Sequence, residues 1–139
     1  MLSRAFVFSA LLISPLLASD LVVTITGATS EKGEIGCALF RGAAGFPMDS
    51  VKATGLWIKA KPGSVKCKFE NLSPGAYALS VSHDLNGNRK TDTNFVGMPT
   101  EAWGVSNNAR PRFRAPRFDE ARFEIKDGET ARLEVRIAR

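Results

Sequence analysis

The sequence is poor in the residues that most metal and nucleophilic sites need. It has two cysteines, one histidine and one tyrosine among 139 residues. The cysteines lack the spacing of a redox pair or a zinc site, and neither a G-x-S-x-G elbow nor a phosphate loop occurs. The apolar run at 5–18 is shorter than the roughly 20 residues needed to cross a bilayer, and no other segment is long enough. The sequence therefore gives no indication of a common hydrolase, a nucleotide-binding protein or an integral membrane protein.

The N-terminal segment has the order of a secretory signal peptide. A basic start (MLSR) precedes an apolar stretch at 5–18, and the small residues Ala18 and Ser19 follow. We predict a signal peptide over 1–19, cleaved after Ala18 or Ser19, and a single domain over 20–139 located in the periplasm or secreted. An uncleaved anchor is the alternative. The net charge of +5 is too small to indicate a nucleic-acid partner.

The two cysteines lie on alternating segments, which place both thiols in the core. Because disulfides persist outside the cytoplasm, we predict a bond between Cys37 and Cys67. Two buried free thiols are the alternative.

Alternation of apolar and polar residues predicts half-buried antiparallel strands. The segments are 21–27, 33–41, 54–60, 64–72, 75–84 and a hairpin, 120–127 with 129–137, around Asp127-Gly128. Seven short strands in one domain predict a β-sandwich. No convincing strand occurs in the long loop 84–118, whose aromatic residues predict order. Function is expected on this loop.

The loop begins with an acidic and amide-rich motif. Asp84, Asn86, Asn88 and Asp92 fall at positions 1, 3, 5 and 9 of a calcium-type loop, in which Lys90 would donate a backbone carbonyl. Glu101 can add a third carboxylate if the loop folds back.

Two positions depart from the calcium pattern. Arg89 stands where glycine is usual, and Phe95 stands where a bidentate glutamate is usual. The alternative is that these Asp and Asn side chains only build turns. We therefore predict that the loop binds calcium with modest affinity.

The only histidine, His83, ends an inward-facing strand, which favours a buried, hydrogen-bonded residue that orients the loop. It is also the one weak candidate for a catalytic base, with Asp84, Asp92 or Glu101 as partners. Ser106 and Asn107 are further candidates by residue type alone.

The segment 109–118 alternates arginines with phenylalanines, a pattern that can grip an anionic polymer, a lipid headgroup or a sugar acid. Trp103, Arg110, Arg112 and Arg114 are the predicted ligand surface. The alternative is a surface crossover whose phenylalanines dock on the sandwich.

The longest motif runs from Ser73 to Ala109, SPGAYALSVSHDLNGNRKTDTNFVGMPTEAWGVSNNA, followed by PRFDEARFEI. It resembles an uncharacterised exported bacterial family, the domain of unknown function 2141 family, whose pattern tends to carry Gly at the place of Arg89. The resemblance implies a transthyretin-like (prealbumin-like) sandwich similar to carboxypeptidase regulatory modules, with no established activity. The expected fold is therefore an all-β, seven-stranded antiparallel Greek-key sandwich with one long ordered loop.

These observations favour a non-enzymatic binding or envelope-associated module, with a glycan or envelope component as ligand and calcium as the only candidate cofactor. A hydrolase or lyase centred on His83 and a purely structural, partner-supporting protein are the alternatives.

Overall fold

The structure, a computed structural model, describes residues 10–13 and 17–139. Within them the chain forms eight strands: β1 (Ser19–Ala28), β2 (Glu34–Phe40), β3 (Thr54–Lys59), β4 (Gly63–Leu72), β5 (Gly75–Asp84), β6 (Trp103–Val105), β7 (Phe123–Ile125) and β8 (Thr130–Arg136). Two 3-10 turns, Ser50–Lys52 and Ser106–Asn108, and one short helix, α1 (Phe118–Ala121), complete the described elements.

The strands form two sheets. The first has the order β4-β1-β8, and the second has the order β3-β2-β5-β6, with β7 paired to the start of β5. The predicted all-β sandwich is confirmed. The prediction of seven antiparallel strands needs correction, because there are eight described strands and β1 runs parallel to β8. The loop predicted over 84–118 contains one of them, β6, which pairs with β5 through Val81 and Gly104.

The predicted hairpin around Asp127-Gly128 is wrong. Strand β7 pairs with β5 in one sheet, and β8 pairs with β1 in the other. The turn itself exists, since the N–H of Glu129 donates to the carbonyl of Lys126. Alternation identifies the buried face of a strand but carries no information about its partner, so the turn crosses between sheets.

The core lies between the sheets and is built from alternate residues of both. The first sheet contributes Leu21, Val23, Ile25, Cys67, Phe69 and Val135, and the second contributes Ile35, Cys37, Leu39, Tyr77, Leu79 and Val81. Successive residues of a strand point to opposite faces of the sheet, so a sheet with one face on the core buries every second residue.

The predicted disulfide is absent. Cys37 and Cys67 are free and buried. They come from opposite sheets, and the pKa of the Cys37 thiol is raised by its hydrogen bond with Cys67 and by burial. The absence of a bond between them agrees with the alternative of two buried free thiols.

The predicted signal peptide falls partly on 1–9 and 14–16, which lie outside the described residues. Residues 10–13 form neither helix nor strand, and Leu11, Leu12 and Ile13 are exposed. Across the described ranges, no helix is long and apolar enough to span a bilayer. The signal peptide stays a prediction.

Candidate functional site

The Asp/Asn loop, defined as residues 84–101, starts where β5 ends. Asp84 is fully buried. Its Oδ1 accepts a hydrogen bond from the N–H of Gly87 at 3.0 Å, and its Oδ2 accepts one from the N–H of Arg89 at 2.6 Å. One carboxylate therefore closes the first turn of the loop from inside.

Arg89 adopts the conformation that the glycine of a calcium-type loop would supply. Its φ is +55°, in the left-handed region that non-glycine residues rarely occupy. A non-glycine residue therefore holds the left-handed conformation at this position, and the bond from the Arg89 N–H to Asp84 helps to keep it there.

The remaining polar side chains of the motif meet in the same loop. The Oδ1 of Asn86 accepts from the N–H of Asn88, and the Oδ1 of Asn88 accepts from the N–H of Lys90. Their side-chain amides donate to the two carboxylate oxygens of Asp92 at 2.7 and 2.8 Å. The structure thus brings the predicted loop residues together, and the turn chemistry of the alternative interpretation is present as well.

A small hairpin returns the chain to the start of the loop. The N–H of Thr100 donates to the carbonyl of Asp92 at 2.9 Å, and the N–H of Asn94 donates to that of Met98 at 2.8 Å. The Oδ1 of Asn94 caps the tip by accepting from the N–H groups of Val96 and Met98. This fold-back places Glu101 beside the first residues of the loop.

Glu101 is buried, with 6 % of its surface exposed. Its Oε1 accepts a hydrogen bond from the N–H of Leu85 at 3.0 Å, and its Oε2 is buried without a hydrogen-bond partner. Buried polar atoms are nearly always partnered in folded proteins, so this oxygen is an exception to that rule.

Carboxylates alone do not make a metal site here. In the part of the chain that the structure describes, no group of three His, Cys, Asp or Glu side chains is placed to hold an ion. Two of the four candidate ligand residues from 84 to 92, Asn86 and Asn88, offer amide oxygens, so any cation would be one that accepts amide oxygens. Calcium is such a cation.

The catalytic candidates are held in structural contacts. The Nε2 of His83 lies 2.8 Å from the carbonyl of Lys32, and the ring is buried. The hydroxyl of Ser106 donates to the carbonyl of Ala121 and accepts from the N–H of Leu79 at 2.9 Å. The side-chain amide of Asn107 donates to the carbonyls flanking Ala121, those of Glu120 and Arg122.

The residues of the predicted ligand surface do not form one contiguous group of contacts. The guanidinium of Arg110 lies 4.1 Å from the ring centroid of Trp103 and donates to the carbonyls of Trp103 and Ala138. Arg114 pairs with Glu120 through contacts of 2.6 and 2.8 Å, which lowers the pKa of Glu120 to about 2. Arg112 is exposed. The structure joins Trp103 with Arg110 and pairs Arg114 with Glu120 of α1.

A groove lies on the outer face of the second sheet, with a volume of about 500 Å³. Sequence reasoning missed it. Its floor consists of small residues from three adjacent strands; they are Gly36, Ala38, Gly55, Ser80 and Ser82. The signal was present at Gly36 and Ala38 of β2 and at Ser80 and Ser82 of β5, outward positions that carry small residues rather than the charged ones typical of a solvent face.

The walls of the groove connect it to the Asp/Asn loop. Trp57 lies over Gly36, where a Cβ atom would approach the Trp57 ring to 2.6 Å. The guanidinium of Arg89 lies 5.3 Å from the Trp57 centroid and pairs with Glu34 at 3.1 Å. Lys90 and residues 47–51 also line the groove. One side of the groove is thus part of the loop.

The family model described as "uncharacterized protein conserved in bacteria", DUF2141, matches residues 23–132. This chain belongs to the DUF2141 family. The match includes the whole Asp/Asn loop and the strands that form the groove. No curated protein and no solved structure matches the chain. Membership in DUF2141 therefore adds no activity to what the geometry indicates.

Proposed function

We propose that this DUF2141 protein is an exported, non-enzymatic binding module of the bacterial cell envelope. The groove beside Trp57 receives the ligand, and the Asp/Asn loop, holding calcium weakly, supports one wall. The observation that carries the proposal is the groove itself, because its volume of about 500 Å³ is in the range of small-molecule sites.

A hydroxyl-rich ligand such as a glycan unit suits the chemistry of the groove. The floor offers the hydroxyls of Ser80 and Ser82, and the walls offer the carboxylate of Asp49 and the cation of Lys90. Trp57 adds an apolar ring surface. Alternating donors and acceptors beside an aromatic ring match the alternating hydroxyls and apolar C–H faces of a sugar.

A binding role is supported over a hydrolase or lyase by the contacts of the candidate catalytic groups. His83 and Ser106 each bond to backbone atoms that hold neighbouring segments in place. A catalytic base needs a free nitrogen or oxygen within reach of substrate, and neither residue lines the groove.

Envelope association is supported by the predicted signal segment and by one exposed apolar surface. The exposed residues Leu11, Leu12 and Ile13 fit a segment that a signal peptidase removes. At the tip of the hairpin within the Asp/Asn loop, Phe95 is fully exposed, and Val96 and Met98 are largely exposed. Clustered exposed apolar residues mark interaction surfaces.

Filling the groove tests the proposal. We expect Ser80→Trp to abolish binding of soluble peptidoglycan fragments measured by isothermal titration calorimetry, because the indole would occupy the floor. Ser64→Trp, the same change at an exposed position of β4 in the other sheet, should bind like the unaltered protein. Equal binding by both variants, with matching circular dichroism spectra, would reject the groove as the ligand site, and no heat with the unaltered protein would reject the glycan class.

A further inference from the structure

We infer that the groove is selective for an acidic sugar, whose carboxylate is bound by Lys90 together with Arg89. The inference rests on the glycan-binding role of the proposed function and names the class of glycan. A neutral sugar needs only hydroxyl and ring contacts, which Ser80, Ser82 and Trp57 already offer. The charges of the lining residues are what point to an acid.

The basic residues of the groove are adjacent in the chain. Arg89 and Lys90 both line it, and Asp49 is the one acidic residue among the described lining residues. The Oδ1 of Asp49 accepts a hydrogen bond from the N–H of Val51 at 3.2 Å, in a cap of the 3-10 turn Ser50–Lys52. The single carboxylate of the lining is thus engaged in a local contact, and the excess charge of the lining is positive.

Arg89 is held beside the ring of Trp57 by contacts on one edge of its guanidinium. Its Nε and Nη2 donate to the carboxylate of Glu34 at 3.1 and 3.2 Å, and its guanidinium lies 5.3 Å from the Trp57 centroid. No hydrogen bond within the described part of the chain involves its third nitrogen, Nη1. The planar guanidinium therefore keeps donors for a second carboxylate.

Lys90 supplies a charge that is not paired with a carboxylate in the described part of the chain. Glu34 offsets the charge of Arg89, whereas the salt bridges of the described residues do not include Lys90. The backbone N–H of Lys90 donates to the Oδ1 of Asn88, which anchors the residue while its ammonium group keeps three donors. An anionic group of a ligand would therefore meet an unpaired cation here.

The register of the sheet places the small floor beside these cations. Gly36 pairs with Trp57 on one side and with Ser82 on the other. Glu34, the partner of Arg89, precedes Gly36 by two residues and so shares its face of β2, roughly 7 Å along the strand. A sugar that packs on the Trp57 ring over this floor has its substituents within reach of the basic pair.

Titration with two sugars that differ by one carboxylate tests the inference. N-acetylmuramic acid carries a lactyl carboxylate that N-acetylglucosamine lacks, and the indole N–H signal of Trp57 in heteronuclear NMR spectra reports occupancy of the groove. We expect the unaltered protein to bind the acidic sugar about fivefold to tenfold more tightly. In Lys90→Gln the preference should fall to about twofold or less. Lys66→Gln, the same change at an exposed position of β4 in the other sheet, is the matched control and should keep the preference.

The outcomes separate this inference from the proposed function. Equal affinity for both sugars, or a preference that Lys90→Gln leaves unchanged, would overturn the role of Lys90 and leave the groove as a site for neutral glycans. An equal loss in Lys66→Gln would also overturn it, because the preference would then come from net charge rather than from a contact in the groove. No shift of the Trp57 signal with either sugar would overturn the glycan class, and this inference with it.

Discussion

The carboxylate of Glu101 accepts a hydrogen bond from the backbone N–H of Leu85 at 3.0 Å across a separation of 16 residues. This contact closes the Asp/Asn loop and fixes the residue that follows Asp84. It also connects the loop to the groove, because Arg89 and Lys90 form a groove wall from within the same closed segment. Loop closure and ligand binding are therefore expected to depend on one another.

Asp84 should be the most important polar residue for the stability of the loop. Asp84→Ala leaves the N–H groups of Gly87 and Arg89 without their partner, and we expect a loss of about 2 kcal/mol in the free energy of unfolding. Asp127→Ala, at an exposed turn, should cost about 0.5 kcal/mol or less. Urea denaturation measures both, and equal costs would contradict the structural role of Asp84.

Ser106 should act through structure alone. Its hydroxyl connects β5 at Leu79 to the end of α1 at Ala121. Ser106→Ala is expected to destabilise the fold by about 2 kcal/mol, because a buried N–H loses its acceptor, while glycan binding stays unchanged once folding is secured. Ser64→Ala at an exposed site is the control in the same denaturation series. Undiminished stability of Ser106→Ala would point instead to a free, chemically available hydroxyl.

The buried cysteines predict a loss of stability at alkaline pH. The pKa of Cys37 is raised in the folded state by its hydrogen bond with Cys67 and by burial, whereas an unfolded thiol ionises near pH 8.5. Above that pH the unfolded chain binds fewer protons, so the free energy of unfolding falls as pH rises. Thermal unfolding from pH 7 to 10 should show a steeper decline for the native sequence than for Cys37→Ala. Parallel curves would be inconsistent with a raised pKa.

The mature N-terminus should be Ser19 rather than Asp20. Ser19 is buried in β1, its hydroxyl donates to the carbonyl of Lys126 at 2.7 Å, and it accepts from the N–H of Gly128 at 3.0 Å. Cleavage after Ser19 would remove both contacts, so Ala18 is the expected last residue of the signal. Intact-mass spectrometry of the exported protein gives the answer directly, and a chain that still begins at Met1 would contradict the predicted signal peptide.

Strand positions were predictable because alternation reports which face of a strand is buried. Strands β1, β2, β4 and β5 lie where the pattern places them. The connection around Asp127-Gly128 was not predictable, since a tight turn between two alternating segments is equally compatible with a hairpin and with a crossing between sheets. The parallel pairing of β1 with β8 follows from tertiary packing that no local pattern records.

The sequence predicted which residues form the Asp/Asn loop but not how the loop and the groove are arranged. The spacing of Asp84, Asn86, Asn88 and Asp92 identified the loop. The left-handed backbone conformation of Arg89 was not predictable, because a non-glycine residue at that position indicates that the chain does not make this turn. The groove was missed because its floor depends on pairing Gly36 with Trp57 and with Ser82, which requires knowing which strands are neighbours.

Thermal unfolding with EDTA and then with millimolar calcium tests the central claim most directly, that the Asp/Asn loop is an ion site. Binding to the folded state alone stabilises it by linkage, so the account predicts a rise of several degrees in Tm for the native sequence and none in Asp84→Ala. An identical Tm with EDTA and with calcium would contradict the account and leave the loop as turn chemistry.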